Sequence, residues 1–118
     1  GMGGTGAEIH RDIAVRLTPL NDLGARTMVA GLRMLPLLQG YRGAPPCDVG
    51  ALEELVLRVA AMVHAHPQIV ELDCNPVNVS PEGVVILDAR VRVAPAPPAP
   101  PWPSLHAAPP PEWGAAPP

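Results

Sequence analysis

Residues 7–18 alternate. Ala7, Ile9, Ile13, Val15 and Leu17 share one parity, and Glu8, His10, Asp12, Arg16 and Thr18 share the other, which predicts a half-buried strand. The run is long for one strand, so a hairpin turning near Arg11-Asp12 is expected, ending at Thr18-Pro19-Leu20. Asn21 or Asp22 can cap a helix that reaches about Leu32, with Leu23, Met28, Val29 and Leu32 near helical spacing. Residues 34–46 are punctuated by Pro36, Gly40, Gly43, Pro45 and Pro46 and read as a loop. Asp48 can cap a second helix over residues 49–64, whose apolar stripe is Leu52, Leu55, Val56, Val59, Ala60 and Val63. Glu53, Glu54 and Arg58 are expected to face outward, with Glu54 and Arg58 an i,i+4 pair. His64 and His66 close this helix. They do not share a helical face and read as cations favoured by its C-terminus rather than as a metal pair.

The stretch 69–93 predicts a β-hairpin. Side chains of a strand alternate, so Val70, Leu72 and Cys74 face one way and Glu71, Asp73 and Asn75 the other. After Pro76 the parity reverses, because Val77 and Val79 are apolar and Asn78 is polar. A bulge at Pro76 would account for this. Ser80-Pro81-Glu82-Gly83-Val84 suits a three-residue turn with Gly83 left-handed. Val79 would then face Val85, and Val77 would face Leu87. Beyond the bulge, Asn75 would face Asp88, Asp73 would face Arg90 and Glu71 would face Arg92. The reverse side would pair Cys74 with Ala89, Leu72 with Val91 and Val70 with Val93.

Composition narrows the classes. The chain has 118 residues and a net charge of -3, with 8 cationic side chains, all Arg, against 11 acidic ones. One small domain is the most it can hold. Without Lys or clustered cations no nucleic-acid partner is expected, and no apolar run suits a membrane span or a signal peptide. Cys47 and Cys74 lack metal-pair spacing, which points to a reducing, cytoplasmic setting. Of the 18 prolines, 11 lie in residues 94–118. That segment is expected to be an extended, disordered tail, and residues 1–93 the folded part. Trp102 and Trp113 could make the tail a ligand for an aromatic-lined groove, or it could be an extension without a partner.

The predicted polar face of the hairpin carries the candidate chemistry. Asp73, Asn75 and Asp88 offer two carboxylates and an amide, with Arg90 beside them. Opposed residues of a ladder have Cβ atoms about 4.5–5.5 Å apart. Oxygen donors at that spacing suit Mg²⁺, which completes its octahedron with water and nucleotide phosphate. A divalent cation would also relieve repulsion between Asp73 and Asp88. The same residues could instead form a solvated face with cross-strand ion pairs, each worth under about 1 kcal/mol.

Asp73-Cys74-Asn75-Pro76-Val77 followed by Leu87-Asp88-Ala89-Arg90 resembles the end of the ATP-grasp domain of NDP-forming acyl-CoA synthetases. That group includes ADP-forming acetate–CoA ligase, the β subunit of succinyl-CoA synthetase, and the domain fused to GNAT protein lysine acetyltransferases. Gly1-Met2-Gly3-Gly4 with Glu8 and Asp12, then Ala14-Val15-Arg16-Leu17-Thr18-Pro19-Leu20 and Leu37-Leu38-Gln39-Gly40-Tyr41-Arg42-Gly43, are similar to the ADP-forming branch. The resemblance spans residues 1–93 and implies an α/β fold of the α+β type: the C-terminal lobe of an ATP-grasp domain, with antiparallel strands and two helices packed on one face. It implies ATP and Mg²⁺ as cofactors, with CoA handled by domains upstream. Asn75 and Asp88 would be direct Mg²⁺ ligands. Asp73 stands where relatives carry Glu and would be a third ligand or lie behind the ligands. Arg90 and Glu8 would lie on the nucleotide side.

The resemblance places the ATP-binding lysines, the CoA-binding domain and the phosphohistidine outside this sequence, so no catalytic residue is assigned and no activity is expected of the chain alone. The expected partners are a nucleotide and the upstream domains or a partner subunit of the same enzyme, and an oligomer is left open. The leading reading is a Mg-ATP-binding lobe of an ADP-forming acyl-CoA synthetase-like ligase. The alternatives are a nucleotide- or acyl-CoA-sensing regulatory domain of a GNAT acetyltransferase and a truncated, non-functional remnant.

Overall fold

A computed structural model of the chain describes residues 1–3 and 12–96. Helix α1 spans Asp22–Ala30, and the Asn21 side chain caps it by accepting from the Gly24 amide at 2.8 Å. Helix α3 spans Val49–Ala65, capped by Asp48, whose Oδ1 accepts from the Ala51 amide at 2.8 Å. Both caps were legible because an Asn or Asp immediately before a helical apolar stripe satisfies an otherwise orphaned amide. Between the helices the expected plain loop instead holds α2, one turn over Leu35–Leu38, and a 3-10 turn at Tyr41–Gly43. Pro36 is tolerated in the first turn of α2, where its missing N–H had no helical partner. Gly40 (φ 97°) and Arg42 (φ 52°) are both left-handed, and the Arg42 guanidinium lies 5.2 Å from the centroid of the Tyr41 ring.

Four strands follow: β1 (Ile69–Cys74), β2 (Val77–Ser80), β3 (Gly83–Ile86) and β4 (Ala89–Val93). They form two antiparallel pairs, β1 with β4 and β2 with β3. Helix α3 packs against β3, and α1 packs against α3. The result is a mixed α/β lobe with its helices on one side of antiparallel strands. Ala25, Val29, Leu32, Leu38 and Ala60 form its buried centre. No large side chain among the described residues is fully buried, in keeping with a body whose only aromatic residue is Tyr41. No helix among the described residues is long and apolar enough to cross a membrane.

Several expectations are corrected. Residues 12–17 form no strand and show no alternation of facing: Asp12 is buried, Ile13, Val15 and Leu17 are 70, 73 and 88% exposed, and Arg16 is exposed as well. The inward turn of Asp12 is explained by its partners, since its two carboxylate oxygens accept from the Arg33 and Met34 amides. Residues 7–11, including Glu8, His10 and the expected turn at Arg11, lie outside the described residues. So do residues 97–118 with Trp102 and Trp113. Glu53 faces α1 rather than solvent, with its carboxylate 3.9 Å from Arg26. Glu54 and Arg58 do pair, at 2.8 Å.

The hairpin register is corrected as well. Ser80 faces Gly83 rather than Val84, so the turn has two residues, Pro81 and Glu82. Val79 faces Val84 and Val77 faces Ile86, in place of Val85 and Leu87. There is no bulge at Pro76. Asn75 still faces Asp88, Asp73 faces Arg90 and Glu71 faces Arg92. The expected extra turn residue and the expected bulge each moved the register by one, in opposite senses, so they cancelled beyond Pro76. The single irregularity falls at Val70, so Val93 faces Ile69 instead.

Candidate functional site

The parity reversal at Pro76 sets up the site. Leu72, Cys74, Val77 and Val79 all line the cavity against α3, so the chain changes sides between Cys74 and Val77. The other arm does the same, with Ile86, Ala89 and Val91 all lining a second apolar recess beside Leu72 and Cys74. Both arms therefore turn over together. The residues at the crossing are Asn75-Pro76 and Leu87-Asp88, which belong to no strand but remain bonded. The Asn75 amide donates to the Asp88 carbonyl at 3.0 Å, and the Leu87 amide to the Pro76 carbonyl at 3.0 Å. A shared rotation keeps the register, which a one-sided bulge would have shifted.

This crossing carries the polar donors. Asn75, Asp73, Asp88 and Arg90 are all exposed. Asn75 and Asp88 face each other, and Asp73 faces Arg90 on the next step of the ladder. The Arg90 Nε stands 3.7 Å from Asp88 Oδ2, with both side chains more than half exposed. Farther along, Arg92 Nε donates to Glu71 Oε2 at 3.0 Å. Glu71, Asp73, Arg90 and Arg92 border one open recess. The hairpin is pinned to the helical layer at its turn, where the Asp48 amide at the start of α3 donates to the Ser80 carbonyl at 2.9 Å.

Among the described residues, no group of three or more His, Cys, Asp and Glu side chains could hold a metal ion. The crossing itself offers two carboxylates, Asp73 and Asp88, and one amide, Asn75. Their chemistry, hard oxygen with no imidazole or thiolate, suits a small divalent cation that keeps water and substrate oxygens in its shell.

Two features of this region escaped sequence reasoning. Asp12 serves as a buried clasp on the turn after α1, with its carboxyl held below the ordinary 3.8. The largest cause is the Arg33 amide, burial opposes it, and the Met34 amide, the Arg33 charge and the chain's amino group add to it. Gly3 lies directly against the Asn75 side chain. The only local signal for it was the glycine run itself.

The sequence pattern of the ATP-grasp domain matches residues 1–93. The chain is 36% identical over 91 residues to acetate–CoA ligase [ADP-forming] I of Archaeoglobus fulgidus, covering 77% of this chain and 13% of that protein. It is 37% identical over 94 residues to the β subunit of acetate–CoA ligase [ADP-forming] II of Pyrococcus furiosus, covering 77% of this chain and 40% of that subunit. Among solved structures it superimposes on the dinucleotide-forming acetyl-coenzyme A synthetase 1 of Ca. Korarchaeum cryptofilum, bound to coenzyme A and Mg-AMPPCP. The TM-score is 0.77 at 33% identity, over 80% of this chain and 44% of that one. The chain thus spans less than half the length of these relatives. It belongs to the ATP-grasp domain family, and it resembles the part of that domain found in ADP-forming acid–CoA ligases.

Proposed function

We propose that the chain is the cation-binding face of an ATP-grasp nucleotide site and works as one part of an ADP-forming acid–CoA ligase. The observation that carries this reading is the opposition of Asn75 and Asp88 at the crossing of the hairpin. Cys74 and Ala89 beside them are a ladder pair, and the backbone bond between Asn75 and Asp88 keeps these two positions opposed, so one cation could take an oxygen from each. Asn75 and Asp88 would hold Mg²⁺ directly, with Asp73 beside them. Mg²⁺ at this position would neutralise charge on the transferring phosphoryl group and fix its geometry.

The remaining work falls to the chain's own residues. Arg90, close to Asp88 yet largely exposed, is placed to offer its guanidinium fork to a phosphate oxygen once a cation takes over Asp88. Glu8 would add to the nucleotide side. The apolar pairs Leu72–Val91 and Cys74–Ala89 anchor the donors at the end of a ladder, which limits reorganisation when the cation arrives. The acid, the CoA and the phosphoryl acceptor would be handled by further domains or a partner subunit in the cytoplasm. The two relatives described above carry ligase names, and no observation favours the acetyltransferase-linked reading.

The test is Asp88→Ala in the ligase assembled with its remaining domains. The reading predicts loss of Mg²⁺-dependent nucleotide turnover with an unchanged melting temperature, since Asp88 is exposed. Turnover at the wild-type rate would reject the assignment.

A further inference from the structure

The start of the chain abuts the candidate cation site. The Met2 amide donates to the Asp12 carbonyl at 3.1 Å, and Asp12 is itself fixed by the Arg33 and Met34 amides. This anchorage carries Gly3 up to Asn75. A Cβ placed on Gly3 would stand 2.9 Å from Asn75 Oδ1 and 3.9 Å from Pro76 Cα. The first distance is too short for a carbon and an oxygen that are not bonded. Among the described residues the glycines with positive φ are Gly40, Gly43 and Gly83, and Gly3 is not one of them. What excludes a side chain at position 3 is therefore space and not backbone conformation.

The atom it would strike is an amide oxygen that the proposed site uses as a donor. We propose that Gly3 is a positioning residue for the divalent cation: its missing side chain leaves the room in which the Asn75 amide oxygen stands opposite Asp88. This inference rests on the assignment of Asn75 and Asp88 as ligands.

The consequence for a variant divides cleanly. The Asn75 oxygen is the far end of an exposed side chain, so a methyl group at position 3 displaces that end while the backbone bonds of the crossing stay in place. A cation–oxygen bond tolerates little displacement, and disturbing the groups that orient a ligand commonly lowers metal affinity roughly 10–100-fold. Affinity and stability should therefore separate.

The test is a titration of the 118-residue chain with Mn²⁺, which shares the oxygen preference of Mg²⁺. It is read by paramagnetic broadening of the Asp88 amide in NMR spectra alongside thermal melts. Gly3→Ala should melt with the wild type and need roughly 10–100-fold more Mn²⁺ for the same broadening. In an Asn75→Ala background, adding Gly3→Ala should change nothing, because no amide oxygen remains to be displaced. Wild-type Mn²⁺ dependence in Gly3→Ala would overturn the proposal. So would an equal loss with and without Asn75, or a lowered melting temperature that accounts for the weaker binding. Asp88→Ala separates the two levels. If it too leaves the Mn²⁺ response unchanged, the ligand assignment fails; if it abolishes the response while Gly3→Ala does not alter it, only the role of Gly3 fails.

Discussion

The carboxylate of Asp12 accepts a hydrogen bond from the Met34 amide at 2.7 Å, tying the segment that enters the lobe to the turn that leaves α1. The Arg33 amide donates to the other oxygen at 2.8 Å. These bonds favour the ionised carboxylate, so its folded value lies below the ordinary 3.8. Folding then gains from Asp12 wherever the carboxyl is ionised in both states, and the gain is lost as pH falls from about 3.8 through the lowered folded value. Thermal melts across this acid range should show a steeper loss of stability in the wild type than in Asp12→Asn. At neutral pH, Asp12→Asn should melt below the wild type because one amide loses its acceptor, and Asp12→Ala lower still. Equal melting temperatures at neutral pH would show that the clasp is not needed.

The two-residue turn makes a geometric prediction. With Cys47 and Cys74 replaced by Ser, Val79→Cys with Val84→Cys should oxidise readily, because the two residues are directly opposed. Val79→Cys with Val85→Cys should not, because those side chains point to opposite faces. Mass spectrometry after mild oxidation reads the difference, and the reverse result would restore the three-residue turn.

Gly83 adopts φ 132°, a value side chains rarely take. No atom lies within 4 Å of a Cβ built there, so Gly83→Ala isolates the backbone penalty. The expected loss is about 1–2 kcal/mol, measured as a shift in the urea midpoint. A neutral substitution would mean that the turn relaxes freely.

Leu72 faces Val91 on the helix side of the ladder. Because it is half-buried, Leu72→Ala should fall at the low end for core leucines, about 2 kcal/mol. Leu72→Asp should abolish cooperative unfolding by placing an unpaired charge against α3. The exposed Glu71–Arg92 pair should contribute under about 1 kcal/mol in a double-mutant cycle and fade with added salt. A cooperatively melting Leu72→Asp chain would show the two faces of the hairpin to be exchanged.

Much of the lobe was written locally. Asn21 and Asp48 announce their helices because a cap acts within one turn of its own position. The polar set Glu71, Asp73 and Asn75 met Arg92, Arg90 and Asp88 because charge alternation marks the face. What escaped depended on contacts distant in sequence. Asp12 reads as exposed in the alternation of residues 7–18, and only the Arg33 and Met34 amides 21 and 22 positions on reverse it. The turn was misread because Pro81-Glu82-Gly83 suits either length, and Gly83 uses its left-handed freedom as the first residue of β3. The approach of Gly3 to Asn75 spans most of the folded body, and no periodicity reports it.

The central claim is that Asn75 and Asp88 grip one divalent ion. A crystal of the chain grown with Mn²⁺ and a non-hydrolysable ATP analogue, read by the anomalous scattering of the metal, tests it directly. The account predicts a single peak bonded both to Asn75 Oδ1 and to a carboxylate oxygen of Asp88. A peak bonded to neither residue, or no peak in crystals that contain the analogue, would contradict it.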